Sequence, residues 1–357
     1  MAAAQSQSLF KSLGLAHHVS KTSSGAEVHS YTSDLGPDAP ILTLIHGYPQ
    51  SAYEWRQVRI PAEPLYISAL GWLLDSPLIQ SPTGHSSTEG KSLPLPGYGI
   101  STPIKDKDAN TKRSVGGALL EALSDVFNTT DSKTPRRIIL GGHDRGARIC
   151  HRLAVDFSHP PESQSIYSTL NLTVLGAVLI DIVPTLEQWQ AFANPALAKG
   201  YFHWPLLANP EVATDIIAAY GGDKWCRAAN TRIAGDNPQS IERLSSDGAQ
   251  DVYAELFKER ETLYYTALDY AAAAVPEPAE QDEDQKAGRK VSVPLLVMFS
   301  KARLGAGLDV AEIWKKWIAD GVDYEGYGVG EGYGHYLPEE AYDIVNPRIE
   351  AFIKKVT

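Results

Sequence analysis

The chain has 357 residues, enough for one large α/β domain with an insertion or for two modest domains, and 43% of them are hydrophobic, an ordinary share for a protein with a sizeable core. Its formal net charge of −11 at pH 7 excludes the broad basic surface that a nucleic-acid backbone requires, so an anionic ligand must be met by local arginines. No apolar run is long enough to span a bilayer, the first residues lack the basic and apolar segments of a secretory signal, and only Cys150 and Cys226 are present; a cytoplasmic, disulfide-free protein is expected.

Residues 40–45 are a continuous apolar run that stops at His46-Gly47, the pattern of a strand covered on both faces in a parallel sheet. Residues 65–94 offer no regular strand where βα alternation calls for one, and 80–91 are rich in Ser, Thr and Gly, as in a surface insertion. Helical patterning over 118–127 leads into a second buried strand, 137–141, then Gly142-His143-Asp144-Arg145-Gly146, then helix over 148–157. Residues 162–171 look like an insertion before a third strand, 173–180, which ends on Asp181. Between 184 and 274 the chain turns to aromatic-rich helical segments without a strand, and the acidic tract 276–285 is expected to be a solvated linker. A fourth strand, 293–300, and a final helix close the chain, with His335 just before that helix. The pattern predicts a doubly wound, mostly parallel α/β sheet, built from residues 1–185 and 291–357, with a helical cap and acidic linker over 186–290.

In such sheets the chemistry gathers at the carboxyl ends of the strands, where His46, Asp144 and Asp181 all fall. Residues 142–146 have the small-x-nucleophile-x-small spacing of a nucleophile elbow, with Asp144 in the place of the usual serine. A carboxylate suits displacement at saturated carbon, and the product is an ester of the enzyme that water must cleave. That second step needs a base. His335 is the candidate, with Asp181 to hold its other nitrogen and Asp309 as a second choice of acid. The oxyanion formed on Asp144 calls for backbone donors, for which Tyr48 in the turn after the first strand and Arg145 are placed. Beside the nucleophile, Arg145 and Arg148 can grip a substrate carboxylate. A bland reading of each residue alone, as a helix cap, a strand end or a solvated charge, remains open beside the functional one.

Together these pieces resemble the α/β-hydrolase superfamily, in its Asp-nucleophile branch of epoxide hydrolases and haloacetate dehalogenases, with fluoroacetate dehalogenases nearest. The resemblance rests on His46-Gly47-Tyr48-Pro49-Gln50, the Leu95-Pro96-Gly97-Tyr98-Gly99 stretch, Gly142 to Arg148, Asp181-Ile182-Val183-Pro184, Tyr201-Phe202-His203-Trp204, Asp269-Tyr270 and Gly334-His335. It implies Asp144 as nucleophile, His335 as base with Asp181, a carboxylate clamp of Arg145 and Arg148, and a halide cradle of His203, Trp204 and Tyr270. His46 completes the expected substrate-binding set. Neither cofactor nor metal is implied. Two departures are visible: Pro94 stands where the family has an Asp closing a regular strand, and Ala271 where it has an Arg after the cap tyrosine. The expected reaction is hydrolysis of a small carboxylate-bearing halide. The alternatives are an epoxide opened with the help of Tyr270 or Tyr265, and a catalytically silent scaffold that binds a small molecule. The expected partner is a small, anionic molecule, with no nucleic acid and no membrane; a homodimer is left open.

Overall fold

The computed structural model describes residues 8–58 and 91–357, apart from 13, 33–35, 37–38, 94, 99 and 162–165. Eight strands form one sheet: β1 (Ala16–Lys21), β2 (Glu27–Thr32), β3 (Ile41–Ile45), β4 (Lys91–Leu93), β5 (Arg136–His143), β6 (Leu172–Ile180), β7 (Leu295–Ser300) and β8 (Tyr324–Val329), in the order β1-β2-β4-β3-β5-β6-β7-β8. β1 and β2 run antiparallel at one edge, and β4, β3, β5, β6, β7 and β8 are parallel. All five residues of β3 are buried, as are most of β5 and β7, which is why these strands read as unbroken apolar runs rather than alternating ones. The chain leaves β3 toward β4 on one side and returns to β5 on the other. The carboxyl ends of β3 and β5 therefore border a topological switch point, where such folds place their ligands.

Helix α1 (Lys112–Phe127) is capped by the Thr111 side chain and precedes β5; α2 (Arg145–Ser158) follows it directly. Between β6 and β7 the chain is entirely helical, and the segments used below are α3 (Thr185–Ala191), α4 (His203–Leu207), α5 (Gly222–Arg232), α6 (Arg260–Ala274) and α7 (Glu277–Ala287). Two C-terminal helices follow β8, the short α8 (Leu337–Glu340) and then the long α9 (Tyr342–Val356). Among the described residues no helix is long and apolar enough to cross a membrane.

Two expectations change. The acidic tract is not a linker: it forms α7, whose Glu277, Gln281 and Asp284 are buried against core and cap while its other acids face water. Its acids have partners, Lys112 for Glu277 and both Arg152 and Arg289 for Asp284, so charge that reads as solvated in the sequence is neutralised in the fold. Second, a strand does precede Pro94: β4 pairs over three residues with β3, Lys91 to Leu93 against Thr43 to Ile45, and keeps the strand order regular. The remainder of the 65–94 segment lies outside the described residues, as do 162–165 of the second insertion; Ile166–Thr169 is a short helix.

The glycines of the elbow are dictated by contact. A Cβ on Gly146 would lie 2.0 Å from the carbonyl oxygen of Ile45, and one on Gly142 would lie 2.5 Å from the carbonyl carbon of Gly146. Both clashes are with backbone, which cannot step aside. Gly146→Ala is therefore expected to lower stability by about 3 kcal/mol or more, read as a fall in the urea unfolding midpoint, whereas Gly200→Ala, with open space around it, is expected to leave the midpoint nearly unchanged.

Candidate active site

Asp144 sits between β5 and α2 with φ 45° and ψ −112°, a conformation that a residue with a side chain adopts only when its surroundings impose it. The surroundings do: its N–H donates to the Ile180 carbonyl at 3.1 Å and its own carbonyl accepts the Arg148 N–H at 3.1 Å. The turn after β3 closes over it. Gly47 is required there because a Cβ would approach the Asp144 Cβ to 2.7 Å, and this closeness lets the Tyr48 N–H donate to Asp144 Oδ2 at 3.0 Å. Arg145, the first residue of α2, presents its amide at a helix N-terminus, where N–H groups have no intrahelical acceptor.

Asp181 ends β6, also at positive φ (54°). Its Oδ1 accepts the Ser300 N–H at 2.7 Å and its Oδ2 faces His335 Nδ1 at 2.6 Å, so the carboxylate fixes the ring with the proton on Nδ1. His335 Nε2 is then free as a base and stands 4.0 Å from Asp144 Oδ1, too far for a direct hydrogen bond and open to an intervening water. Glu340 holds the loop that carries the base. Its buried carboxylate accepts the N–H groups of Gly334 (2.6 Å), Tyr336 (2.8 Å) and Gly235 (2.8 Å).

His143 ties the turn after β3 to the His335 loop. Its Nδ1 meets Glu54 Oε2 at 3.1 Å, its Nε2 meets the carbonyl of His335 at 2.9 Å, and Glu54 Oε2 also accepts the Gly47 N–H at 3.3 Å. Burial lifts the Glu54 carboxyl and would by itself lower His143. Both ring nitrogens face acceptors, however, so we read the pair as carboxylate and imidazolium, with Glu54 raising His143 to about 9. Burial would also raise Asp144, but His335, Arg145, His143 and Arg148 together outweigh it and hold the carboxyl down to about 2. Asp144 is thus an anion at any working pH.

A cavity lies over these groups, lined by Asp144, Arg148, His203, Trp204, Tyr270 and His335, among others, and it encloses about 20 Å³ in which the centre of a water-sized group can move. An ordered water needs about 10–15 Å³ on this measure, so the space suits only a few heavy atoms. Arg148 donates from Nη1 to the Val183 carbonyl (2.8 Å) and Thr185 Oγ1 (3.2 Å), with its guanidinium 4.5 Å from the Trp204 ring centroid. Burial, and then the neighbouring Arg145, lower Arg148 to about 10, which leaves it cationic at neutral pH.

Not all expected residues reach the cavity. Arg145 does not line it: Nε donates to Asp269 Oδ2 at 2.5 Å and Nη2 to the Asp269 carbonyl at 3.0 Å, with the guanidinium 4.0 Å from the Tyr270 ring centroid. Its cation is committed to a cap carboxylate, and only Nη1 is without a protein acceptor. His46 is also turned away, accepting the Leu95 N–H at Nε2 (3.0 Å) and donating from Nδ1 to the Gly47 carbonyl (2.9 Å), so it braces the turn and does not meet substrate. Burial lowers it to about 4, in keeping with a neutral ring. Asp309 is exposed and caps the helix Val310–Lys315 through the Glu312 N–H, far from any role as the acid. Tyr265 packs on Gly97 outside the cavity.

Sequence reasoning passed over Tyr201, Trp225, Arg232 and Tyr336, which also line the cavity, and the Glu54–His143 pair beneath it. Trp225 and Arg232 stand seven residues apart on α5, a helical repeat that places both on one face, and this spacing was the available signal. Trp225 Nε1 donates to the Tyr48 hydroxyl at 2.6 Å, so the cap steadies the turn after β3 directly.

No family model matches the chain. A fluoroacetate dehalogenase from Burkholderia sp. is 24% identical over 293 residues, which cover 80% of this chain and 79% of that protein. Among solved structures, a mutant form of a Pseudomonas aeruginosa protein provisionally assigned as an epoxide hydrolase superposes with a TM-score of 0.71 at 26% identity, over 96% of each chain. A protein from Nostoc sp. PCC 7120, provisionally assigned as an α/β hydrolase, gives a TM-score of 0.72 at 24% identity, over 96% of this chain and 98% of its own.

Two measurements test these assignments. Arg145→Met leaves the buried Asp269 with Lys112 as its remaining cationic partner, so the lost charged hydrogen bonds are expected to cost about 1.5–3 kcal/mol of unfolding free energy; an arginine that served substrate alone would be lost without that penalty. His143, raised from an unfolded value near 6.5 to about 9, contributes stability that is fully present below pH 6.5 and is lost as pH rises through about 9. The stability gap between the wild type and His143→Gln in urea titrations should therefore shrink across that window, and a gap independent of pH would remove the imidazolium assignment.

Proposed function

We propose that this chain, a hydrolase of the α/β-hydrolase superfamily similar to its fluoroacetate dehalogenase and epoxide hydrolase members, removes halide from a small haloacid through an ester of Asp144. The observation that carries this reading is the pairing of an aspartate at the elbow with a free imidazole nitrogen 4.0 Å from it, beneath a small cavity. Oδ2 is engaged by the Tyr48 amide, so Oδ1 is the oxygen that attacks the carbon bearing the leaving group. The new C–O bond forms as the carbon–halogen bond breaks, and the halide departs with the bonding pair. Water then loses a proton to His335 Nε2 and adds to the Asp144 carboxyl carbon. The negative charge collects on Oδ2, where the Tyr48 N–H already points and the Arg145 N–H is at hand. Collapse of this intermediate expels the hydroxyacid and leaves one water oxygen in Asp144.

Small substrate size follows from the cavity, and Arg148 supports an anionic one, since it is the guanidinium that lines the space. Arg145 contributes its field and not a bidentate grip, since only its Nη1 is without a protein acceptor and it does not line the cavity. The cradle proposed for the halide is His203, Trp204 and Tyr270, whose rings pack edge to face with centroids 5.6–5.9 Å apart around Tyr270. One feature favours a second reading, epoxide hydrolysis: Tyr201 and Tyr270 both line the cavity and could protonate a ring oxygen as it opens. Tyr201, and not Tyr265, is the partner in that reading.

Single turnover of a haloacetate in heavy-oxygen water is expected to place label in the Asp144 carboxylate, located by peptide mass spectrometry. Asp144→Asn should lower turnover by about 10⁴-fold or more, and His335→Gln should accumulate the ester as a stable mass adduct. Halide without diol supports the leading reading and diol without halide the second. An unlabelled Asp144 after turnover of either substrate would eliminate both.

A further inference from the structure

We infer that Arg232, at the end of α5, is a positioning residue that fixes the tautomer of His203 and so aims an Nε2–H at the leaving group. Arg232 Nη2 approaches His203 Nδ1 to 3.0 Å, and the same guanidinium is clamped from behind by the Gly200 carbonyl (Nη1, 2.5 Å) and lies 4.9 Å from the Phe202 ring centroid. A guanidinium has only donors, so the imidazole nitrogen that faces it must present a lone pair. His203 is therefore neutral, with its proton on Nε2. The groups around the ring reinforce this. Tyr201 and Tyr270 pack against it, Arg232 touches it, Arg145 and His335 add positive charge at longer range, and Asp144 opposes them. Burial first, and Arg232 second, hold His203 down to about 3.

The consequence is a donor that does not titrate in the working range. A histidine without this contact would divide its proton between Nδ1 and Nε2 or become charged near neutrality. With it, Nε2–H has no protein acceptor among the described residues and borders the cavity that holds Asp144 and His335. As the carbon–halogen bond breaks, the electron pair goes to the halide, and an Nε2–H in place receives that charge without reorganisation. Arg232 also lines the outer cleft, about 710 Å³, which shares Tyr201, Ile233 and His335 with the inner cavity and includes the exposed Lys199. It thus stands, partly buried, at the threshold between the two spaces, and its guanidinium borders both while it sets the histidine.

The assignment of the leaving group rests on the dehalogenase reading, whereas the tautomer does not, and the two are separated by measuring both. In protein labelled with ¹⁵N-histidine, the His203 ring is expected to show the Nε2–H neutral form from pH 8 to 5. In Arg232→Met the ring should show mixed tautomers or gain a proton within that range, and Arg232→Lys, which keeps a donor cation, should restore the wild-type signature. On haloacetate, Arg232→Met should lower kcat for halide release by about tenfold or more, most for the poorest leaving group. Hydrolysis of preformed ester should be unchanged. A His203 ring signature unaltered in Arg232→Met overturns the inference, as does an altered signature with halide release at the wild-type kcat. If the wild type releases halide from no haloacid, the function reading fails and the ring spectra still decide the role of Arg232.

Discussion

The site depends on one constraint, an anionic side chain held on a left-handed backbone at a place where three loops converge. Asp144 at φ 45° is tolerable only because the residues on either side have nothing to clash: Gly142 and Gly146 let strand and helix close to within atomic contact, and Gly47 lets the next loop descend onto the carboxylate. The geometry is bought with this strain and returned as position. Remove the tight packing and the Tyr48 amide no longer reaches Oδ2.

A buried anion needs compensation, and the compensation is arranged so that little of it is free to act on its own. His335 is shared with Asp181, His143 with Glu54, and Arg145 with Asp269. The cations of His143 and Arg145 therefore contribute their field to Asp144 while their hydrogen bonds are committed elsewhere. Arg148 differs, because its hydrogen bonds go to a carbonyl and a hydroxyl and leave its charge unneutralised beside the cavity. Two arginines three residues apart on one helix thus differ in surroundings, one bound to a cap carboxylate and the other lining the cavity.

That division marks the boundary of what the sequence can say. The strands were legible because parallel strands buried on both faces must be apolar throughout, and the convergence of Asp144, Asp181 and His335 was legible because residues that follow the strands of such a sheet meet along one edge of it. Arg145 read as a clamp because spacing reveals neighbours along a helix but not which carboxylate arrives from 124 residues away. His46 has the same history: a histidine at a strand end near Asp144 carries no sign that the Leu95 amide will occupy its Nε2. The acidic tract failed for a related reason, since the arginines that neutralise α7 lie on α2 and on its own C-terminal side, and a local count of charge sees a solvated run.

The same distant pairings decide how the cap can move. Lys112, Arg145 and Arg152 on the core helices meet Asp269, Glu277 and Asp284 on α6 and α7, all of them buried. Separating charges of this kind without water in place costs about 3–5 kcal/mol for a single pair, so this side of the cap resists opening. Where the cap meets the His335 loop the contacts among the described residues are of another kind: Leu197 lies against Gly307, the Arg303 guanidinium donates to the Ala234 carbonyl, the backbone of 233–235 bonds to the loop, and the ion pair Arg243–Asp343 is partly exposed. The outer cleft opens on that side, next to Arg232 and His335. None of the six residues of the ionic seam lines that cleft, so the buried charge pairs fix the cap to the core without closing the space beside Arg232 and His335.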